Sequence, residues 1–187
     1  MIKDKVKKQK IGTVIKQDIS EKQVKIAFLA IGSNLGNKKK NIENAKILLQ
    51  SEKIWILKSS NNYETLSWPD KKKPKFINVV LKVKTTFNAI DLLKKCLNVE
   101  KNLGRFRSKK NEPRICDIDL IDFNGEIFRK FNEKRLILPH PRMHSRNFVL
   151  MPLFELSKSW IHPIKKVSIN NLINSLKSED LRSIKII

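Results

Sequence analysis

The middle of the chain alternates between short runs of apolar residues and longer stretches in which apolar positions recur every three or four residues. The short runs predict β-strands, which lie at 25–31, 54–63, 76–84 and 114–123. The longer stretches predict amphipathic helices, at about 39–50 and 88–103. The resulting order β-α-β-β-α-β predicts an α+β, ferredoxin-like fold, in which an antiparallel sheet is flanked by helices.

Further segments extend this core at both ends. Asn124-Gly125 predicts a tight turn into a hairpin strand at 126–129. After it we predict a C-terminal, mainly helical elaboration, with a short strand and two helices at 136–138, 146–157 and 169–176. Residues 1–24 are polar and rich in Lys, so we interpret them as a flexible or loosely docked extension. We expect residues 25–187 to form one domain.

The composition favours a globular protein of the cytoplasm. Hydrophobic residues make up 40% of the 187 residues, which is enough to bury a core. No run approaches the roughly 18 apolar residues of a membrane span, and the N-terminal segment lacks the apolar stretch of a secretion signal. Cys96 and Cys116 form no CxxC pair, which argues against a disulfide framework or a thiolate metal site. We expect a monomer with no membrane partner.

The charge of the chain is strongly positive, since 40 Lys+Arg stand against 18 Asp+Glu and give a net charge of +22. Such an excess is typical of proteins that bind nucleic acids. However, 32 of the basic residues are Lys scattered along the whole chain, as a composition rich in Lys, Asn and Ile would produce by itself. Seven of the eight Arg lie between positions 105 and 146. Because the planar guanidinium grips phosphate oxygens with several donors, this cluster predicts phosphate binding.

Two acidic residues, Asp117 and Asp119, lie within the arginine cluster. Residues two apart on a strand project from the same face, so we expect their carboxylates to lie a few ångströms apart. Paired oxygen ligands of this kind suit Mg²⁺ that also contacts substrate phosphates. The alternative is a pair of solvated acids on an exposed sheet face. The surrounding arginines favour the metal, because an Mg²⁺-binding acid pair among arginines complements a polyphosphate.

Glu100 and His140 remain ambiguous from their spacing alone. Glu100 shares a helix stripe with Leu93 and Leu97, so its carboxylate either lies at the edge of the stripe in water or is aimed at a ligand. His140 has no partner at metal-ligand spacing that would indicate zinc. It either hydrogen-bonds a phosphate or a base, or has no role.

Two further features allow more than one interpretation. Phe76 and Asn78 share a strand face, where they either belong to the core or hold a flat heterocycle between an aromatic ring and an amide. The loop 32–36, GSNLG, follows a strand and precedes a helix, as a phosphate-binding loop would. It lacks the GxGxxG spacing, and GxxxxGK[ST] occurs nowhere, so we interpret it as a turn held by glycine and an Asn side chain.

Five ordered segments together resemble one enzyme family, the 6-hydroxymethyl-7,8-dihydropterin pyrophosphokinases of folate biosynthesis. They are AIGSNLGN, FINVV, VEKNLGRFR, EPRICDIDLIDF and ILPHPRMHSRNFVLMPLFEL. The resemblance covers about residues 25–180. It implies a ferredoxin-like fold and transfer of the diphosphate of ATP to the hydroxymethyl group of a reduced pterin, with release of AMP.

The resemblance also implies roles for individual residues. Asp117 and Asp119 would bind two Mg²⁺ ions, and Arg105 and Arg114 would stabilise charge on the phosphates as the bond breaks. The ATP site would include Glu100, Arg107, Ile118, Arg135, Ile137, His140 and Arg146, with the backbone near Ile118 and Ile137 beside the adenine. The pterin pocket would be formed by Thr65, Phe76, Asn78 and Phe148. The partners implied are ATP and a reduced pterin, with no specific nucleic acid.

The chain departs from the family pattern in two loops. The stretch from Arg107 to Pro113 is a residue short and has Glu112 where Gly is usual, and the loop 65–75 is unusually basic. A second class of function, an RNA-binding module, is also compatible with a ferredoxin-like sheet. Against it, the face of the third strand that begins with Phe76 lacks the aromatic pattern by which such modules stack bases.

Overall fold

The computed structural model describes residues 23–67, 70–105, 112–129 and 136–187. Its strands and helices are, in chain order, β1 (Lys25–Ser33), α1 (Lys38–Ser51), β2 (Trp55–Ser59), β3 (Tyr63–Thr65), β4 (Phe76–Thr85), α2 (Ala89–Asn102), β5 (Asp117–Phe123), α3 (Asn147–Leu156), α4 (Ile169–Asn174), α5 (Ser178–Arg182) and β6 (Lys185–Ile186). A single 3-10 turn, Met143–Ser145, precedes α3. Within these ranges, every helix is too short or too polar to cross a bilayer. The predicted extension falls almost entirely on residues 1–22, outside the described residues.

The strands form one antiparallel sheet in the order β5-β1-β4-β3-β6, and β2 also pairs with β4. β1 therefore lies between β5, at one edge of the sheet, and β4. Since α1 follows β1 and α2 follows β4, the predicted order β-α-β-β-α-β is confirmed, with β2 and β3 in place of one second strand. The α+β, ferredoxin-like class predicted from the apolar pattern is the class observed.

The predicted strand at 54–63 is divided at Ser60. Its backbone N–H donates to the carbonyl of Val80 at 2.9 Å, and its hydroxyl accepts the N–H of Val80 at 3.0 Å. A side chain thus replaces a backbone acceptor at this step, so the chain bends between β2 and β3 without leaving Val80 unpaired.

Alternation along β4 separates two hydrophobic cores. The odd-numbered residues 77–83 belong to the larger core, which lies between the sheet and helices α1 and α2. Val80 belongs to the smaller core on the other face, beneath α3 and α4, together with Phe28 and Ile121. This smaller core ends before the row of the sheet that contains Gly32, so one end of the second face is left for polar side chains.

Helices α1 and α2 form where predicted, but the buried stripe of α2 differs from the predicted one. Each helix begins after an Asn whose side-chain oxygen accepts the N–H three residues later, as an N-cap does. The predicted stripe of α2 included Leu97, which is 36% exposed. The observed stripe is shifted by one position and consists of Ala89, Leu92, Cys96, Val99 and Glu100. Ala, Cys and Glu contribute little to an apolar pattern, so the predicted stripe followed the larger Leu residues instead.

Two predictions at the C-terminal side need correction. Asn124 and Gly125 both have positive φ, and Glu126 N–H donates to Phe123 O at 2.8 Å, so the predicted turn is present. Neither the predicted hairpin strand at 126–129 nor the predicted strand at 136–138 is a strand in the described residues, because the two segments meet only in an isolated bridge between Phe128 and Leu138. The pattern also missed α5 and β6, which are too short to show a period.

Candidate active site

The register of the sheet places the predicted acid pair and the predicted pterin residues on one face. Asp117 is opposite Gly32 on β1, and Gly32 is opposite Asn78 on β4. Asp119 is opposite Ala30 in the next row. Directly opposite residues project from the same face, and adjacent strands lie about 4.8 Å apart, so Asp117 and Asn78 are separated by about 10 Å. β1 forms the floor between them.

Gly32 keeps this floor open. A Cβ at this position would lie 3.1 Å from Asn78 Oδ1 and 3.4 Å from the nearest ring carbon of Phe76. Any larger residue would therefore displace the side chains of β4 or fill the space between the two groups. The residues on the β5 side of Gly32 are called the charged half below, and those on the β4 side the neutral half. The charged half comprises Glu100, Arg105, Arg114, Asp117, Asp119, His140 and Arg146, and the neutral half Thr65, Phe76, Asn78 and Phe148.

Asp117 is held between two arginines. Arg105 donates from Nη1 to Asp117 Oδ1 at 2.5 Å, and Arg114 approaches Oδ2 with its Nε at 3.3 Å, outside hydrogen-bonding geometry. Burial lowers the pKa of Arg105, but the attraction of Asp117 and Glu100 outweighs it, and the pKa is raised. Arg105 is therefore a permanent cation close to the position where phosphates are expected.

Glu100 lies beneath Arg105 and is only 3% exposed. Its Oε1 accepts the backbone N–H of Ile118 at 2.7 Å and also bonds Nη1 of Arg105. The alternative of a carboxylate in water at the edge of the helix stripe is therefore wrong. Glu100 instead fixes both an arginine of the charged half and the backbone of β5, and its contact with ATP remains a prediction.

Asp119 has its own cationic partner. Arg146 donates from Nη1 to Asp119 Oδ2 at 3.0 Å, and His140 Nε2 lies 3.9 Å from the same oxygen. His140 Nδ1 accepts the backbone N–H of Arg142 at 3.2 Å. Burial lowers the pKa of His140, so the ring is neutral at pH 7, and the bond at Nδ1 assigns its proton to Nε2, on the side of Asp119.

The neutral half presents an amide, a hydroxyl and two aromatic rings. Asn78 Nδ2 donates to Thr65 Oγ1 at 2.9 Å, and both side chains are buried. Phe76 and Phe148 are half-buried, on β4 and α3. A Thr hydroxyl that accepts from the amide nitrogen keeps its own proton available as a donor, and the amide oxygen remains an acceptor. The neutral half thus offers both kinds of hydrogen-bonding group beside two ring faces.

Arginines connect the two halves. The guanidinium carbon of Arg114 lies 5.2 Å from the centre of the Phe76 ring, and that of Arg146 lies 5.4 Å from the centre of the Phe148 ring. Both distances are within the range of cation–π attraction. Each of these arginines also contacts one carboxylate of the acid pair. The residues predicted separately from an arginine cluster and from a strand face therefore form one continuous surface.

Asn34 has more partners than its place in the loop 32–36 predicts. It was predicted to hold its own turn, and it joins two other loops. Asn34 N–H donates to the carbonyl of Arg114 at 3.1 Å, and its Oδ1 accepts the backbone N–H of Arg114 at 2.7 Å. Its Nδ2 donates to the carbonyl of Pro74 at 3.2 Å and lies 3.4 Å from Ser67 Oγ. An Asn buried directly after a strand was the available signal, because such an amide must find several partners.

One family model matches residues 28–158, and its description is 7,8-dihydro-6-hydroxymethylpterin-pyrophosphokinase (HPPK). The chain belongs to the HPPK family. Curated relatives agree. A 2-amino-4-hydroxy-6-hydroxymethyldihydropteridine pyrophosphokinase of Bacillus subtilis is 37% identical over 132 residues, which are 70% of this chain and 77% of that protein. The corresponding protein of Aquifex aeolicus is 38% identical over 141 residues, covering 73% of this chain and 83% of its own length.

Other relatives are much longer than this chain. A folic acid synthesis protein of Pneumocystis carinii is 34% identical over 157 residues, which are 84% of this chain. The chain spans only 21% of that protein, about a fifth of its length. A solved structure of Plasmodium falciparum HPPK-DHPS with pterin and p-hydroxybenzoate superimposes with a TM-score of 0.68 over 88% of this chain and 48% of its own. Its sequence identity of 16% makes it support for the fold alone.

The remaining predicted site residues differ in burial, and two of them lie outside the described residues. The side chain of Ile118 is buried in the larger core, so only its backbone faces the charged half. Ile137 is partly exposed beside the Phe128–Leu138 bridge. Arg107 and Arg135 lie outside the described residues, as does most of the shortened loop from Arg107 to Pro113. Their roles remain predictions.

Proposed function

We propose that the protein transfers the diphosphate of ATP to the hydroxymethyl group of 6-hydroxymethyl-7,8-dihydropterin and releases AMP, as a step of folate biosynthesis. One observation carries the proposal: the acid pair with its arginines and the amide–hydroxyl pair with its two aromatic rings share one sheet face, on either side of Gly32. The separation of about 10 Å suits a triphosphate that reaches a flat heterocycle from the side.

The neutral half fits the acceptor substrate. A pterin is flat and carries donors and acceptors along one edge, so it matches two stacking rings with one amide and one hydroxyl between them. The pair formed by Asn78 and Thr65 is buried, so an analogue that lacked the polar edge would leave its groups without partners. We therefore assign the selection of the pterin to this pair.

The charged half fits the transfer step. The hydroxymethyl oxygen bonds to the β-phosphorus while the bond from that phosphorus to the oxygen shared with the α-phosphate breaks. The electron pair of that bond leaves with AMP, and the proton of the hydroxyl group is released to water. Such transfer depends on positioning and electrostatic stabilisation more than on covalent help from the protein. Arg105 and Arg114 would stabilise the charge that develops on the phosphates, and His140 would donate a hydrogen bond from Nε2.

The donor set of the acid pair fits Mg²⁺. No group of three or more His, Cys, Asp or Glu side chains within the described ranges could hold a metal ion by itself. Mg²⁺ is commonly bound by one or two carboxylates together with substrate phosphates, so Asp117 and Asp119 supply the protein share of such a site. Bound Mg²⁺ would neutralise phosphate charge and orient the phosphates. We propose two ions, held by these carboxylates and ATP.

The alternative of an RNA-binding module has less support. A module of that kind stacks bases on the sheet face, yet here Val80 is fully buried beneath α3 and the adjoining Phe28 is also in the smaller core.

The decisive experiment follows AMP release from ATP and Mg²⁺ with and without 6-hydroxymethyl-7,8-dihydropterin. We expect AMP only when the pterin is present. Asp117→Asn and Asp119→Asn should each lower kcat by about 100-fold or more, since each removes charge at the transfer centre. Glu126→Gln is the matched control, because it removes one negative charge from a partly exposed ion pair with Lys25 at the other end of the sheet. Absence of pterin-dependent AMP in the parent protein would overturn the proposed function.

A further inference from the structure

The last ten residues of the chain contact both walls of the neutral half. α5 lies against the beginning of α3, the helix that carries Phe148. β6 pairs with β3, the strand that carries Thr65. Residues 178–187 are called the C-terminal brace below. They contribute no side chain to the site itself, so any effect on it must act through these two contacts.

A single amide group joins the brace to Phe148. Asn147 Nδ2 donates to the carbonyl of Asp180 at 2.5 Å and to Ser183 Oγ at 3.1 Å. Asn147 Oδ1 accepts the backbone N–H of Phe148 at 2.7 Å. Asn147 as a residue is only 8% exposed, so water competes little for these bonds. The position of the Phe148 backbone is therefore tied to the end of α5.

The other contact of the brace is a backbone pairing. Ile186 and Lys185 of β6 lie opposite Tyr63 and Glu64 of β3, and Ile187 N–H donates to Asn62 O at 3.0 Å. β3 ends at Thr65, whose hydroxyl accepts from Asn78. Without β6, β3 would be a three-residue edge strand, and short edge strands with few bonds open readily.

The far end of α3 is tied to the same edge of the sheet. Glu155 accepts the hydroxyl of Tyr63 at 2.9 Å and the backbone N–H of Asn61 at 3.0 Å. The helix that carries Phe148 is thus attached near β3 at both ends, by Glu155 directly and by Asn147 through the brace. A rigid attachment at both ends fixes the gap between the Phe148 ring and the Thr65 hydroxyl.

We infer that the C-terminal brace, through Asn147, sets the distance between Phe148 and Thr65 and thereby the affinity for the pterin, with no part in phosphate transfer. Asn147 and Ser183 are positioning residues in this scheme, since they act through Phe148 and β3. The inference rests on the proposed function, because it assigns the gap to the pterin.

The chain offers a matched pair of serines for the test. Ser183 ends α5 and donates its hydroxyl to Asp180 O at 2.8 Å, and Ser175 ends α4 and donates to Leu172 O at 2.7 Å. Only Ser183 also accepts from Asn147. Ser183→Ala and Ser175→Ala therefore remove the same local bond, and their difference isolates the contact with Asn147.

The measurement is the KM for each substrate in the AMP assay. Asn147→Asp keeps the oxygen that accepts from Phe148 and replaces the donor to the brace by an acceptor. We expect the pterin KM to rise about tenfold in Asn147→Asp and about threefold in Ser183→Ala, with the ATP KM and kcat within about twofold. Ser175→Ala should match the parent. A merely structural role would reduce the active fraction, and hence kcat, at an unchanged pterin KM.

Two results would overturn the inference, and they differ. If the parent releases pterin-dependent AMP and Ser183→Ala has the pterin KM of Ser175→Ala, the brace does not set pterin affinity and the proposed function stands. If the parent neither releases pterin-dependent AMP nor binds the pterin in a fluorescence titration, the proposed function fails and the inference fails with it. Ser183→Ala keeps the test available if Asn147→Asp does not fold.

Discussion

The charged half and the neutral half of the site share one sheet face, yet they are stabilised differently. In the charged half, each carboxylate contacts a cation, and Glu100 and Arg105 are largely buried together. In the neutral half, one amide–hydroxyl bond and two rings form the surface, without a formal charge. Removing a member of a buried ion network leaves its partners uncompensated, whereas removing a neutral hydrogen bond leaves one unsatisfied group. We therefore expect changes in the charged half to affect folding and kcat together, and changes in the neutral half to affect mainly the pterin KM.

The largest effect is expected for Arg105→Met. It removes the cation that contacts both the buried Glu100 and Asp117, so the free energy of unfolding should fall by about 3–5 kcal/mol. kcat should fall by about 100- to 1000-fold, because one stabilising charge at the phosphates is lost. Denaturant unfolding and the AMP assay measure the two effects.

A double variant separates these two consequences of losing Arg105. Glu100→Gln with Arg105→Met removes both charges of the pair, so most of the stability should return while kcat stays low. If the double variant is no more stable than Arg105→Met, the buried carboxylate of Glu100 does not cause the fall in the free energy of unfolding. The described contacts of Glu100 with Ile118 and Arg105 make the first result the expected one.

A smaller, more selective effect is expected for Thr65→Val. The change removes the acceptor of Asn78 Nδ2 and keeps the shape of the side chain, so the pterin KM should rise about 10- to 100-fold with the ATP KM unchanged. Thr85→Val is the matched control. Thr85 is also buried on the sheet, and its hydroxyl accepts Phe87 N–H at 3.1 Å at the opposite end of β4. Equal pterin KM values in both variants would contradict the assignment of the neutral half.

In both halves, the sequence predicts which side chains share a face of the sheet. The alternation of β4 and the spacing of Asp117 and Asp119 depend on backbone geometry, which repeats every two residues, so the shared face of each pair was predictable. The resemblance of five segments then joined the halves into one site. The fold class followed from the order of apolar periods alone.

Partners brought together by the fold were not predictable in this way. The position of Glu100 on its helix left two interpretations open, and only the packing of α2 against β5 places its carboxylate beneath Arg105. Asn34 and Asn147 act through partners 33 to 80 residues away in sequence, for which a local pattern holds no information. The brace was missed for the same reason, since a helix of 5 residues and a strand of 2 residues are stabilised by tertiary contacts and have no detectable period.

The boundary between the halves is tested by Gly32→Ala. The new Cβ would lie 3.1 Å from Asn78 Oδ1, so Asn78 must shift by a few tenths of an ångström, and 3.4 Å from the Phe76 ring, which is the shortest ordinary contact distance. We expect the pterin KM to rise about three- to tenfold, since the amide–hydroxyl pair of Asn78 and Thr65 is displaced but not removed. Gly36→Ala provides the contrast. Gly36 has φ of +63° and open space around it, so this change should cost about 1 kcal/mol of stability and leave the pterin KM unchanged.

The smallest effect concerns Asp122, which lies on the same strand as the acid pair. Unlike that pair, it has no cationic partner among the described residues. A register shift beside Phe28 turns Asp122 toward the smaller core, where its Oδ1 has no hydrogen-bond partner among the described residues. Burial raises the pKa of Asp122, and bonds from Trp160 and Gly125 only partly oppose this rise. A raised pKa in the folded state means that the carboxyl group favours folding below its ordinary pKa of 3.8 and that this contribution is lost as the pH rises through the raised value.

Asp122→Asn tests whether the cations are what make acids tolerable on this strand. The amide has no charge to desolvate, so the free energy of unfolding at pH 7 should rise by on the order of 1 kcal/mol, and kcat should not change. The gain should shrink as the pH falls toward 4, because the parent carboxyl then becomes neutral as well. Denaturant unfolding at pH 4, 5.5 and 7 measures the difference. A variant that is less stable than the parent at pH 7 would contradict the prediction. The hydrogen bonds from Gly125 and Trp160 would then be sufficient to stabilise the charged carboxylate on β5 without an arginine beside it.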